Sequence, residues 1–344
     1  MVTENTPLTA TDYVPILKSK MSELGAAESC TTPGVVPLFE IVSPKDAVAS
    51  MQRVWPSSKG VVWLHSLNLE GREELAFAAA VEQMFTELRE PVLAVPVVTP
   101  DEDSSLMSAV RGVVATDRRG LVLRIDVSDL IDPETNTAEH ILATLDDYEV
   151  TESVVDLVLD AGLIRNQTPV TAAAIVDQAL LALPNAKDWR SLVVALSAFP
   201  QAVYEVVPRS SVGEIPRNDA AAFAAIQSPY QGRVITFGDY TIGTPAYGDV
   251  RFAPVPSIKY TTDKSWMVHR AAQKRGPGPQ YRQLAADVAS AEYFAGRDFS
   301  YGDRYIDDVA NELDGPGSAM TYLRAGISHH VRTVTNRLAT HGVP

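Results

Sequence analysis

The segment GVVWLHSLNLEGREELAFAAAVEQMFTELREPVLAVPVV, residues 60–98, decides the fold. Gly60–Leu67 and Val92–Val98 are apolar, β-branched runs of strand length, and Glu73–Leu88 between them has the length and periodicity of a helix. Strand, helix and strand in so short a span require parallel pairing through a right-handed crossover. The same unit recurs on both sides. Strand-like runs stand at Tyr13–Lys18, Val35–Val42, Leu121–Val127, Val154–Asp160, Leu192–Phe199 and Val234–Tyr240, and helical segments at Leu106–Ala115, Ala138–Asp147, Thr171–Leu183 and Asp219–Ile226. Ser43-Pro44, Thr99-Pro100 and Thr168-Pro169 mark helix starts, a hydroxyl residue capping and proline entering the first turn, and Thr99 with Glu102 has capping-box spacing. Eight such units in about 240 residues predict an α/β fold, a closed (β/α)8 barrel of the TIM type. An open doubly wound sheet is the alternative, but no glycine-rich dinucleotide fingerprint follows the first strand and no GxxxxGK(S/T) motif is present.

The 344 residues leave room for such a barrel and an appendage. Thr241–Pro256 is rich in Gly, Pro and Tyr; Ser257–Thr262 and Ser265–Arg270 read as a hairpin around Asp263-Lys264; helical segments follow near Tyr281–Ala295, Asp303–Leu313 and Ala319–Ala339. The expected division is a barrel over 1–250 and a hairpin with helices over 251–344, packed on it. Charge divides at the same place: residues 251–344 carry 12 Lys+Arg against 9 Asp+Glu and residues 1–250 carry 17 against 34, so the net −14 is the sum of −17 and +3. An acidic shell repels polyphosphate, which confines any nucleic-acid contact to the C-terminal basic stretch, Lys264, Arg270, Lys274, Arg275 and Arg282, acid-free from residue 264 to 286. Solvated loop surface is the ordinary reading of such a run.

Cys30 is the only cysteine, which excludes an internal disulfide and a cysteine-cluster zinc site. No apolar run reaches a membrane span and the start, MVTENTPLTATDY, lacks signal-peptide character, so the expected location is the cytoplasm, away from membranes.

Alternation along barrel strands sends Val14, Ile16 and Lys18, Leu38 and Glu40, and Val122, Arg124 and Asp126 inward, each set ending in charge. Asp239 stands beside Tyr240 at the end of the eighth strand. Barrel sites form at the C-terminal ends of the strands, so Lys18, Glu40, Arg124, Asp126 and Asp239 make a candidate catalytic cluster, with His65 and Asn68 at and after the end of the third strand as candidate ligand contacts. Such a mixture suits an anionic or polyhydroxylated small molecule with a carboxylate as base. The bland reading is a set of ion pairs plugging the mouth. Two readings therefore divide on geometry: charges converging on an open pocket favour an enzyme, and charges paired off under a closed mouth favour binding.

Weaker constellations carry less. Asp101 and Asp103 fit the first turn of a helix better than a cation site. His329-His330 lack an HExxH or HxH partner, Asp307-Asp308 do not share a helix face, and no GxSxG elbow exists. No metal and no cofactor is expected. The aromatic residues of the tail, Trp266, Tyr281, Tyr293, Phe294, Phe299, Tyr301 and Tyr305, read as glue for the appendage.

Several short motifs, in order, carry a resemblance: Tyr13-Val14-Pro15-Ile16-Leu17-Lys18, Val36-Pro37-Leu38-Phe39-Glu40-Ile41, Ser197-Ala198-Phe199-Pro200, Gly238-Asp239-Tyr240, Ile258-Lys259-Tyr260-Thr261-Thr262, Phe299-Ser300-Tyr301-Gly302-Asp303 and Gly326-Ile327-Ser328-His329-His330. Together they resemble the beta protein family of phages and bacterial genomes, across nearly the whole chain. The resemblance places Lys18, Glu40, Asp239 and His330 inside family motifs; His330 and the basic-stretch Arg270 join the candidate ligand contacts. The family commonly has Asn where this chain has Ser328. The implied role is a binding or interaction component of a phage-encoded or anti-phage system, with a protein partner. The alternative is a hydrolase or lyase acting on a phosphorylated or nucleotide-like small molecule, Lys18 and Arg124 holding the anion and Glu40 or Asp126 serving as base.

Overall fold

The computed structural model describes residues 6–132, 134–164, 166–227, 233–248 and 255–344. Strands β1 (Tyr13–Lys18), β2 (Leu38–Ile41), β3 (Val61–Ser66), β4 (Leu93–Val98), β5 (Leu121–Asp126), β6 (Val155–Leu163) and β7 (Ser191–Ser197) run side by side, and β9 (Thr236–Asp239) closes the ring between β7 and β1. Every pairing in the ring is parallel. The protein is a (β/α)8 barrel of the TIM type. The strand missing from that series, β8 (Ser211–Pro216), leaves the barrel and pairs antiparallel with β11 (Ser265–Arg270), which pairs in turn with β10 (Ser257–Thr261).

Helices α1 (Met21–Glu28), α2 (Pro44–Val54), α3 (Glu74–Leu88), α4 (Ser104–Asp117), the pair α5 (Val127–Ile131) and α6 (Thr137–Asp147), α7 (Pro169–Ala182), a single turn α8 (Val203–Val206) and α9 (Asn218–Gln227) alternate with the strands. Pro44 and Pro169 open their helices as expected, and Thr168 accepts from the Thr171 N–H. At α4 the start differs. Thr99 donates from its N–H and hydroxyl to Glu102, closing a turn ahead of the helix, and Asp103 is the cap, accepting from the N–H groups of Ser105 and Leu106.

Beyond the barrel strands come α10 (Pro277–Ala289), α11 (Tyr301–Ala310) and α12 (Ala319–His341). Ile327, Val331, Val334 and Leu338 form one stripe of α12 and lie in the same apolar core as Leu24 and Ala27 of α1. Thus α12 takes the place of the eighth barrel helix, and the hairpin with α10 and α11 is inserted between the eighth strand and that helix. A second core, with Tyr260, Tyr281, Val288, Ile306 and Tyr322, binds the inserted pieces to each other. The expected boundary at residue 250 lies outside the described residues. The three-stranded sheet draws β8 from before it.

Inside the barrel Val14, Ile16, Leu38, Trp63, Val122 and Val158 fill the lumen, the parity expected from alternation. Apolar layers fill the middle of the lumen, with the buried Asp156–Arg190 pair near the N-terminal end of β6 and a larger set of charges at the C-terminal end.

Candidate functional site

Register brings Glu40 of β2 between Lys18 of β1 and His65 of β3. Arg124 reaches into the lumen from β5, where Asp160 of β6 and Tyr240 also project. Its Nε and Nη2 donate to Asp160 Oδ2 at 3.0 and 2.7 Å, Nη2 also to the Tyr240 hydroxyl at 2.6 Å, and Nη1 to Glu40 Oε1 and His65 Nδ1, both at 3.0 Å. A guanidinium has five N–H donors, and all five are taken. Tyr240 donates to Asp160, whose other oxygen accepts from the Gly162 N–H.

The network fixes protonation states. Because a guanidinium cannot accept, His65 Nδ1 must, and the ring proton sits on Nε2. Burial and the neighbouring Arg124 charge hold His65 down to about 3, so the ring is neutral. Burial pushes Glu40 above the usual carboxylate range, against the pull of Arg124. Burial and the Asp160 carboxylate push Tyr240 far up. Glu40 Oε2 is buried with no hydrogen-bond partner among the described residues.

Lys18 stands at the rim and its amine donates to the carbonyls of Thr244 and Ala246 at 2.9 and 2.5 Å. Residues 242–248, after β9, are gripped at both ends, since Lys259 of β10 donates to the Ile242 carbonyl at 3.1 Å and Lys20 approaches that of Gly248 at 3.5 Å. Tyr247 lies against the Lys18 and Lys20 amines, and its hydroxyl reaches the Glu40 carbonyl. Burial lowers Lys18 and brings Lys259 to about 8. This segment therefore lies over the mouth as a strap.

The structure thus gathers Lys18, Glu40, His65 and Arg124 and places the other candidates elsewhere. Asp126 is exposed and caps α5, accepting from Ser128. Asn68 is exposed and braces its loop against Arg72. Arg270 donates to the Val207 carbonyl in the second sheet. Asp239, with parity opposite to Tyr240, points out of the barrel into a second buried cluster. Its Oδ1 accepts from the Tyr13 hydroxyl and the Thr241 N–H, and its Oδ2 faces His330 Nε2 at 2.8 Å. Burial pushes Asp239 up, but His330, Arg217 and Tyr13 outweigh it and hold the carboxyl low. Arg217 completes this cluster with Asp219, and His330 Nδ1 meets the Thr261 hydroxyl, so Asp239 and His330 tie the barrel wall to α12 and the hairpin. One residue earlier, His329 faces Asp303 of α11 and the Thr261 carbonyl.

Asp160 is the member of the mouth that the sequence reading passed over; it shares a face with Val158, so strand alternation alone would have found it. Lys259 and Asp219 lie on elements that the sequence announces, the hairpin and α9, but their partners do not follow from local pattern, and Arg217 directly follows β8, which no local pattern announces. Among the described residues no three His, Cys, Asp or Glu side chains gather as a metal site, and no helix is long and apolar enough to cross a membrane.

No curated protein matches the chain. Among solved structures, it is similar to the arginine decarboxylase of Paramecium bursaria Chlorella virus bound to agmatine, at 10% identity and a TM-score of 0.40, over 74% of this chain and 64% of that one. The match thus spans less than two thirds of that enzyme's length. A family model is more decisive: that of the beta protein matches residues 13–336, and the chain belongs to the beta protein family.

Proposed function

We propose that this chain is a binding component of a phage-encoded or anti-phage system, acting in the cytoplasm on a protein partner, with its barrel as scaffold. The observation that carries the reading is the saturation of Arg124, whose five donors all go to the protein's own acceptors. A cation so engaged has none left for a ligand's oxygens, and the Lys18 amine is turned to the strap. The mouth is arranged as a self-paired plug, and recognition falls to the outer surface. The phage setting rests on the family motifs. Exposed Lys264 and Arg275 are where nucleic acid would touch, if the partner carries it. The test is purification of the tagged full-length chain, at low salt, from a phage-infected host. A stoichiometric protein partner is expected, and a chain that elutes alone and binds neither protein, nucleic acid nor small anions would sink the proposal.

One observation favours a second reading. The unpartnered Oε2 of Glu40, on a carboxyl pushed upward by burial, is the form a general acid or base takes. A hydrolase or lyase acting on a phosphorylated small molecule that displaces the strap would use it. Turnover of such a compound, abolished in a folded Glu40→Gln variant, would establish that reading.

A further inference from the structure

A cavity of about 500 Å3 lies between the segment that joins α1 to β2 and the facing parts of α11 and α12, and none of the mouth residues lines it. Thr31, Ser300, Tyr301, Ser328, Arg304 and Arg332 are among its walls. Arg324 stands at its edge: Nη2 donates to Ser29 Oγ at 2.7 Å, the guanidinium lies 4.1 Å from the Tyr301 ring centre, and Nε is buried without a partner. Both Ser29 and Tyr301 line the cavity.

Arg304 and Arg332 line the cavity and Arg324 touches two of its wall residues, and none of the three has an ion-pair partner among the described residues. Arg332 lies over the Phe299 ring, and the Arg304 side chain has no hydrogen-bond acceptor among the described residues. Arg53, Arg89, Arg124 and Arg190, by contrast, all sit on carboxylates. Asp298 is the one acid in the wall, and it forms no ion pair with them. An anion that enters a cavity lined by two arginines without ion-pair partners gains Coulomb energy from both.

We infer that this cavity binds a small molecule through a phosphoryl group, with Arg304 and Arg332 as its principal contacts. A guanidinium fork presents paired N–H groups that match phosphoryl oxygens, and more than one such fork suits a dianion better than a carboxylate. The volume falls within the range of small-ligand pockets, roughly 300–1,000 Å3. A nucleic-acid strand fits less well, because the basic surface does not continue: the next arginine along, Arg297, is already paired with Asp307 and Asp308. The site is independent of the barrel mouth, and it holds or falls without the proposal for the whole protein.

Calorimetric titration of the full-length chain with inorganic pyrophosphate and with ADP, at fixed ionic strength, tests the inference. Saturable binding of at least one probe is expected, weakened about tenfold or more by Arg304→Ala and by Arg332→Ala and unchanged by Arg111→Ala, an exposed arginine of α4 outside the cavity. Arg332→Lys should fall between, since it keeps the charge and loses the fork. Arg304 and Arg332 are exposed, so their variants should melt as the parent does. Failure of both probes to bind, or binding unaffected in Arg304→Ala and Arg332→Ala, overturns the inference. A single-stranded oligonucleotide that binds through the same arginines while both probes fail would overturn it too, in favour of nucleic acid.

Discussion

Without the Arg124 guanidinium, Glu40 and Asp160 would share the upper lumen with no cation between them. Breaking a buried pair on one side costs about 3–5 kcal/mol, and we expect Arg124→Met to lower stability by that much in urea melts at pH 7. Adding Glu40→Gln should recover part of the loss, because one of the stranded charges is then gone; full additivity of the two changes would contradict the network. His65 has a signature of its own. Free histidine takes up a proton near 6.5, whereas folded His65 does so only near 3, so the unfolded chain binds more protons in between and stability falls as pH drops from about 6.5 toward 3. Ring nitrogen shifts of His65 in NMR should stay those of the neutral Nε2–H form from pH 8 to 4, and an imidazolium signal at pH 5 would refute the assignment. These inward residues were legible from alternation, which separates Glu40 and Arg124 from their neighbours without any other knowledge. The same rule puts Asp239 one position out of phase with Tyr240. Grouping the two by their shared strand end, and not by parity, is what set Asp239 in the wrong cluster.

At the level of elements, α11 and α12 cross where a side chain cannot fit. A Cβ on Gly302 would stand 2.0 Å from the Ala325 carbonyl oxygen, so the backbones must separate to admit one. Gly302→Ala is expected to cost about 1–3 kcal/mol by forcing the helices apart, read as a lower urea midpoint with the barrel's far-ultraviolet signal retained before the transition. An unchanged midpoint would mean that the two helices do not pack this closely. The long helices and the barrel strands could be read from apolar periodicity because each buries a continuous stripe or run. β8 could not. Its Val212, Glu214 and Pro216 face solvent, and Gly213 and Pro216 make Ser211–Pro216 resemble a loop; only pairing with β11, about fifty residues away in the chain, makes it a strand.

Across the whole molecule, the net −14 separates into an acidic barrel and a slightly basic C-terminal part, and the structure gives that division a shape. The ring of helices closes only when α12 returns to α1, after the hairpin, α10 and α11 have been laid over the outside. Sequence separation hid that closure, since α12 announces its apolar stripe but not the helix it will meet. The charges at the mouth are paired with one another, whereas Arg304 and Arg332 line a cavity where α11 and α12 meet the segment after α1, so the two proposals concern different faces of the molecule. For the phage-related role proposed above, the most direct test is the effect of Glu40→Gln on phage plating efficiency in a host that expresses the full-length chain, with the purified variant's melting curve taken alongside. A folded variant that changes plating as the parent does is the expected result. A folded variant that has lost the effect would show that the barrel mouth performs chemistry and contradict the account.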